Sequence, residues 1–225
     1  MAQRPQAIAF DVLDTLFATA PLAEALARAG LPAQSLELWL ARTLRNGFAL
    51  AASGAFRPFD EVARATLAGA FADHGLSDGA GKLDQVLAAL RELPPHPDVG
   101  PALSRVRAAG VPAIALTNGT ANATRELLGN AGLAPLVEGI VSIDDVQQWK
   151  PRPEVYWHVA RLLGVPAPRV AAVAAHAWDV HGAHRAGLTT GWVRRAESRI
   201  DAFDAPDVVG EDLVEVCERL LALPQ

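Results

Sequence analysis

The chain opens with a short unbroken apolar run, Ala7-Ile8-Ala9-Phe10, that stops on Asp11. An apolar run of that length bounded by a charge predicts a buried strand ending in a carboxylate. From residue 21 to residue 93 the spacing becomes helical, and it predicts four helices over 21–29, 33–52, 60–74 and 80–93. Their breaks, at Gly30-Leu31-Pro32 and over residues 54–58 and 75–79, are turn chemistry. On the second helix Leu36, Trp39, Leu40, Thr43 and Leu44 fall on one face. Pro94-Pro95-His96-Pro97 is a stiff connector. Beyond it the pattern alternates. Helices are predicted over 101–109, 121–130, 153–163, 181–186 and 212–221, and strands over 111–116, 139–143, 170–174, 189–193 and 207–209.

Strands alternating with helices imply right-handed crossovers and a parallel sheet covered on both faces. The four consecutive helices with no strand between them read as an inserted bundle. The expected fold is therefore α/β: a Rossmann-like, doubly wound parallel sheet with an inserted helical-bundle cap. Its core domain is discontinuous, residues 1–17 and 94–225, and its cap is residues 18–93. No internal repeat or low-complexity tract interrupts it.

Composition narrows the class. The chain has 225 residues, a net charge of −5, 51% hydrophobic and 20% charged residues, the balance of a protein with a large core. An acidic chain without a basic run argues against a nucleic-acid partner. The single Cys217 excludes an intramolecular disulfide and a cysteine-based zinc cluster. His176, His181 and His184 do not make a metal site, because the last two are i,i+3 on a predicted helix with no further ligand to complete a set. No stretch nears the roughly 20 apolar residues of a membrane span. Residues 1–6 lack the pattern of a signal peptide. A cytoplasmic protein without membrane partner, metal or cofactor is the expectation.

Each predicted strand hands over to polar residues at its carboxyl end, the edge at which open α/β sheets bind ligands. Asp11 is placed where a rigid strand end can aim a nucleophilic carboxylate into a cleft. Thr117-Asn118-Gly119 brings a hydroxyl, an amide and free backbone N–H groups to the start of a helix, an anion site by construction. Lys150 precedes a helix whose first turn accepts Pro153, and its ammonium would bind an anion or hold Asp11 ionised. His176-Ala177-Trp178-Asp179 follows the strand 170–174. Singly, each is equally explained as a helix cap, a turn or a solvated surface residue.

In this order the four clusters resemble the motifs of the haloacid dehalogenase-like hydrolase superfamily. Asp11 to Thr15 matches its first motif, Thr117-Asn118 its second, Lys150-Pro151 its third and Asp179 its fourth, and the helical insert matches its mobile cap. Most members are magnesium-dependent phosphatases. These carry an acid two residues after the nucleophile and a metal ligand four residues before the fourth-motif Asp, where this chain has Leu13 and Ala175. A phosphate dianion needs a cation beside the attacking carboxylate, and an alkoxide needs a proton; a halide needs neither. The chain therefore resembles the 2-haloacid dehalogenase branch.

That resemblance implies catalysis by Asp11, Lys150, Asp179 and Thr15. Asp11 displaces halide from the α-carbon of a small 2-haloacid, and water then hydrolyses the aspartyl ester. Thr117 and Asn118 would bind the substrate carboxylate, with Tyr156, His176, Trp178, Trp39 and Arg42 around it and no metal or cofactor. A homodimer is also implied, with Trp39, Phe48 and Phe56 as candidate contacts. Several positions depart from the branch. Leu40 stands where its halide-accepting Arg is found, and Arg42 is about 200° around the helix from it. Ala174 and His176 replace a Ser and an Asn, and Asp14 replaces a Gly. Two other readings stay open: a magnesium-dependent phosphatase for a small phosphometabolite, and a non-catalytic anion-binding relative.

Overall fold

The computed structural model describes residues 2–195, 198 and 200–225. Six strands, β1 (Ala7–Phe10), β2 (Ala113–Thr117), β3 (Gly139–Ser142), β4 (Val170–Ala174), β5 (Thr189–Val193) and β6 (Val208–Gly210), form one parallel sheet in the order β3-β2-β1-β4-β5-β6. All of β1, β2, β4 and β5 is buried, as continuous apolar strands covered on both faces require. Phe10 pairs with Ala115 on one side and Val173 on the other, so β1 is central. The strand order reverses between β1 and β4, which makes the cleft beyond their carboxyl ends the natural ligand position.

Helices α1 (Leu22–Ala29), α2 (Ser35–Ala52), α3 (Phe59–Asp73) and α4 (Lys82–Ala89) make up the helical cap, α1 packing on α4 and α2 on α3. The rest, α5 (Val99–Ala108), α6 (Ala121–Asn130), α7 (Pro153–Leu163), α8 (Ala177–Arg185) and α9 (Leu213–Leu221), belong to the sheet layer. Several boundaries depart from the sequence pattern, and three of the elements concerned bear on the fold. The predicted helix 80–93 shrinks to α4: Ala80 and Gly81 both take positive φ (62° and 66°) at its start, and it ends at Ala89, ahead of the turn that leads to Pro94. The α5 helix starts at Val99, two residues before Pro101, since an N–H in the first turn has no intrahelical partner to lose. The α8 helix begins at Ala177 rather than residue 181, which moves Asp179 from a loop into a first helical turn.

A tryptophan ties cap to core. Trp149 is fully buried, its indole donates to the Arg57 carbonyl at 2.9 Å, and its ring lies 5.9 Å from that of Phe59 on α3. The ring crosses α2 at Gly47, where a Cβ would lie 2.3 Å from it. Only glycine permits that approach. Gly47→Ala is therefore expected to destabilise the protein by about 1–3 kcal/mol through overpacking. It should also lower activity by displacing the residue next to Lys150. Denaturant unfolding checks the first effect; a variant as stable as the parent would contradict it.

Candidate active site

Four chain segments far apart in sequence converge where β1 ends. The Asp11 N–H donates to the Val173 carbonyl at 2.9 Å, continuing the β1–β4 ladder by one residue and fixing the carboxylate at the strand tip. The Lys150 ammonium lies 2.8 Å from Asp11 Oδ1 and 2.8 Å from Asp179 Oδ2. Its backbone N–H donates to Asn118 Oδ1 at 3.1 Å, which ties the end of β2 to the lysine. Thr15 is held at both ends of its hydroxyl: it donates to Asp11 Oδ2 at 2.7 Å and accepts from the Ala175 N–H at 2.9 Å. On α7, Tyr156 donates to Asp179 Oδ1 at 2.5 Å. Gly182, on α8, makes room for that hydroxyl, since a Cβ there would lie 2.8 Å from it.

Exposure separates the two carboxylates: the Asp11 side chain is 11% exposed, Asp179 4% and Lys150 1%. Asp11 is the one that reaches the cleft. Two carboxylates share one ammonium, so one negative charge is left over. Burial opposes charge on Lys150, yet Asp11 and Asp179 outweigh it and raise its pKa above the ordinary 10.5. Burial raises the Asp179 carboxyl above its usual range, the pull of Lys150 offsets this only in part, and the charge on Asp11 adds to it. Burial, with Asp179 alongside, pushes the Tyr156 hydroxyl far up, so it remains a donor.

A second polar group borders the first. Asp14 has φ 61°, a conformation that favours glycine, and its Oδ1 accepts from the Thr19 hydroxyl at 2.5 Å and the Thr19 N–H at 3.2 Å. Its Oδ2 lies 3.5 Å from His176 Nε2. Burial works against the charge on Asp14, but the bonds to His176 and Thr19 prevail and hold its carboxyl below the usual range. An ionised Asp14 has no proton to give, so it does not substitute for the acid missing at Leu13. His176 stacks on Trp178 with ring centroids 5.8 Å apart, and Trp178 meets Phe48 of α2 edge-on at 5.2 Å. The two departures from the branch pattern at positions 14 and 176 thus touch each other.

Asp11, Thr15, Asn118, Lys150, Tyr156 and Asp179 are joined by direct hydrogen bonds. Thr117 ends β2, and its hydroxyl oxygen accepts from the Gly119 N–H at 2.9 Å. His176 caps α8, and Trp178 lies in its first turn. Trp39 and Arg42 are bonded within the cap. Trp39 is buried within the cap and donates to the Ala63 carbonyl at 3.0 Å, as an indole inside a helix pair must find an acceptor. Arg42 reaches Asp73 at 3.0 Å in an exposed α2–α3 pair. Phe48 packs edge-on against Trp178. Sequence reasoning missed Arg195, which donates to the Thr15 carbonyl at 2.9 Å across 180 positions; no local signal marks so distant a contact.

Among the described residues no group of three or more His, Cys, Asp or Glu is placed to hold a metal ion. Position 175, where a phosphatase would supply a ligand, offers only Ala, and its N–H is bonded to Thr15. Removing the buried Lys150 cation should be severe. Lys150→Met leaves two carboxylates uncompensated, so stability near neutral pH should fall by about 3–5 kcal/mol. The loss should shrink as acid protonates both carboxyls. Urea unfolding of parent and variant at neutral and acid pH tests this; a pH-independent difference would contradict it.

Comparison with known proteins is consistent with this arrangement. The chain is similar to the (S)-2-haloacid dehalogenase H-109 of Pseudomonas putida, 26% identical over 220 residues, covering 96% of this chain and 98% of the other. It is 30% identical over 192 residues to the (S)-2-haloacid dehalogenase of Xanthobacter autotrophicus, covering 84% of this chain and 75% of the other. The solved structure of the L-2-haloacid dehalogenase of Xanthobacter autotrophicus with chloropropionic acid covalently bound superposes with a TM-score of 0.90 at 25% identity, over 97% of this chain and 99% of that one. Residues 5–187 match the haloacid dehalogenase-like hydrolase family, and the chain belongs to that family.

Proposed function

We propose that this hydrolase displaces halide from the α-carbon of a small 2-haloacid, with Asp11 as nucleophile. The observation that carries the reading is the Asp11 carboxylate. It is fixed at a strand tip by Thr15 and Lys150 at 2.7 and 2.8 Å, is the more exposed member of its buried pair, and has Leu13 where a proton donor would otherwise follow. A site built this way favours a leaving group that departs as a stable anion. The dehalogenases to which the chain is similar support the same substrate class.

In the first step an Asp11 oxygen attacks the α-carbon, the carbon–halogen bond breaks with its electron pair on the halide, and an ester joins Asp11 to the substrate. In the second, water adds to the ester carbonyl carbon, the bond to the substrate oxygen breaks, and a 2-hydroxyacid leaves with the Asp11 carboxylate restored and one proton released. Lys150 and Thr15 hold the carboxylate in line for attack. Such orientation is worth several kcal/mol of barrier, on the order of that measured for oriented reactants. Asp179, with Lys150, positions the water. The Thr117 hydroxyl and the Asn118 amide are assigned to the substrate carboxylate, and the half-buried Trp178 to the wall of the cleft.

Bromide release from racemic 2-bromopropionate tests the reading. The parent should release bromide with EDTA present, and Asp11→Asn should lose at least on the order of 10³-fold in kcat. During a single turnover in ¹⁸O-water the label should enter Asp11 rather than product. Release that stops on chelation, or magnesium-dependent hydrolysis of a phosphate ester with no halide release, would overturn the proposal.

The charge states predict a pH profile. Asp179 must be ionised to position water in the second step, and its raised pKa places the acid limb of kcat above the ordinary 3.8. Lys150 must stay protonated, and its raised pKa delays the alkaline loss until beyond 10.5. Activity should therefore climb through the acid range and hold into alkali. A fall beginning at neutral pH would contradict the assignment.

A further inference from the structure

Three successive carbonyls of the loop that carries the nucleophile are held from outside it. The Asp14 carbonyl is 3.1 Å from His96 Nε2, the Thr15 carbonyl is 2.9 Å from Arg195 Nη2, and the Leu16 carbonyl accepts from the His96 N–H at 2.9 Å. A carbonyl only accepts, so His96 Nε2 carries its proton there. Burial, and then the charge of Arg195, keep the His96 ring below its usual pKa of 6.5 and hence neutral.

Arg195 is itself oriented. Its Nη2 lies 3.1 Å from Asp98 Oδ1, with the two side chains only 16% and 14% exposed. Asp98 Oδ2 accepts from the Leu213 N–H at 2.7 Å, at the first residue of α9. Burial opposes charge on Asp98, but the Leu213 N–H and Arg195 hold its carboxyl below the usual range. A continuous line of bonds therefore runs from the start of α9 through Asp98 and Arg195 to the Thr15 carbonyl. From there the Thr15 hydroxyl continues it to Asp11 Oδ2 at 2.7 Å.

We propose that Arg195, braced by Asp98 and assisted by His96, is a positioning residue that holds the Thr15 backbone so that the Thr15 hydroxyl fixes the attack angle of Asp11. The proposal rests on Asp11 being the nucleophile. The physical need is specific. The loop turns sharply, with Asp14 at φ 61°, and Thr15 holds its hydroxyl between two partners, so a shift of its backbone is transmitted directly to the carboxylate. A guanidinium bonds a carbonyl and a carboxylate at once in a fixed plane; an ammonium in its place lacks that plane.

The test compares parent, Arg195→Lys and Arg195→Ala by kcat and KM for 2-bromopropionate, with thermal unfolding measured beside them. Arg195→Ala should lose about 10- to 100-fold in kcat, the scale of a small misplacement of reacting groups, with KM nearly unchanged. Millimolar guanidinium should restore part of that kcat, and Arg195→Lys should fall between the two. An unchanged kcat in Arg195→Ala overturns the proposal. So does a loss that follows the fall in thermal stability and is restored by neither guanidinium nor lysine. If Arg195→Ala does not fold, Arg195→Lys decides, and parental kcat in it overturns the proposal.

Hydrogen exchange separates this proposal from the reading it rests on. In the variants the amides of Leu16, Phe17 and Ala175, bonded to the Val12 carbonyl and the Thr15 hydroxyl, should exchange faster, while that of Ile8 in β1 should not. Faster exchange with no bromide release from the parent would leave the clamp standing and the dehalogenase reading refuted. Unchanged exchange would refute the clamp.

Discussion

The Lys150 ammonium between Asp11 and Asp179 is the constraint around which this molecule is arranged. Burying a lone ammonium or a lone carboxylate is costly, and a buried cluster persists only where geometry and further hydrogen bonds satisfy every member. Here each has a neutral partner besides the charge: Thr15 for Asp11, Tyr156 for Asp179, and Asn118 for the Lys150 backbone. The groups come from the ends of β1 and β2, the loop before α7, α7 and α8. The parallel sheet is what brings those ends to one edge.

The same segment that supplies the cation also fixes the cap. Trp149 immediately precedes Lys150, and its indole crosses Gly47 and bonds the carbonyl of Arg57. From the other side of the cleft, Trp178 of α8 meets Phe48 of the same cap helix. Two tryptophans from different core segments thus hold α2 near the carboxylates. Neither contact is an ion pair, although an exposed one, Arg91 with Glu126 at 3.4 Å, also joins cap to core.

Much of this was legible in the sequence because it was local or periodic. Apolar runs ending in Asp11, Thr117 and Ala174 marked strands and hence a common edge, and the long helical stretch marked the cap. Asp11, Lys150 and Asp179 fell on motif positions that the structure joins by bonds. What was not legible depends on direction and distance. Trp39 and Arg42 were placed near the substrate by the family resemblance, which does not say what each side chain meets; Trp39 donates to the Ala63 carbonyl and Arg42 reaches Asp73. The start of α8 was misplaced because Ala177 and Trp178 read as the tail of a polar loop. Arg195 sits 180 positions from the carbonyl it holds, and only the fold makes them neighbours.

The surplus negative charge of the cluster bears on which substrate it tolerates. A carboxylate about 4 Å from one uncompensated charge meets repulsion of roughly 4 kcal/mol at an effective dielectric near 20, and a dianion about twice that. Neutral donors, the Thr117 hydroxyl, the Asn118 amide and the N-terminus of α6 capped by Thr120, can offset a monoanion. They are poorly matched to a phosphate dianion when positions 13 and 175 carry Leu and Ala. In the proposed first step the attacking charge leaves with the halide. Asp11 becomes a neutral ester, and Lys150 is then paired with Asp179 alone. The ester intermediate thus carries one negative charge fewer than the complex before attack, with only the substrate's own carboxylate uncompensated, and that relief of like-charge repulsion favours its formation.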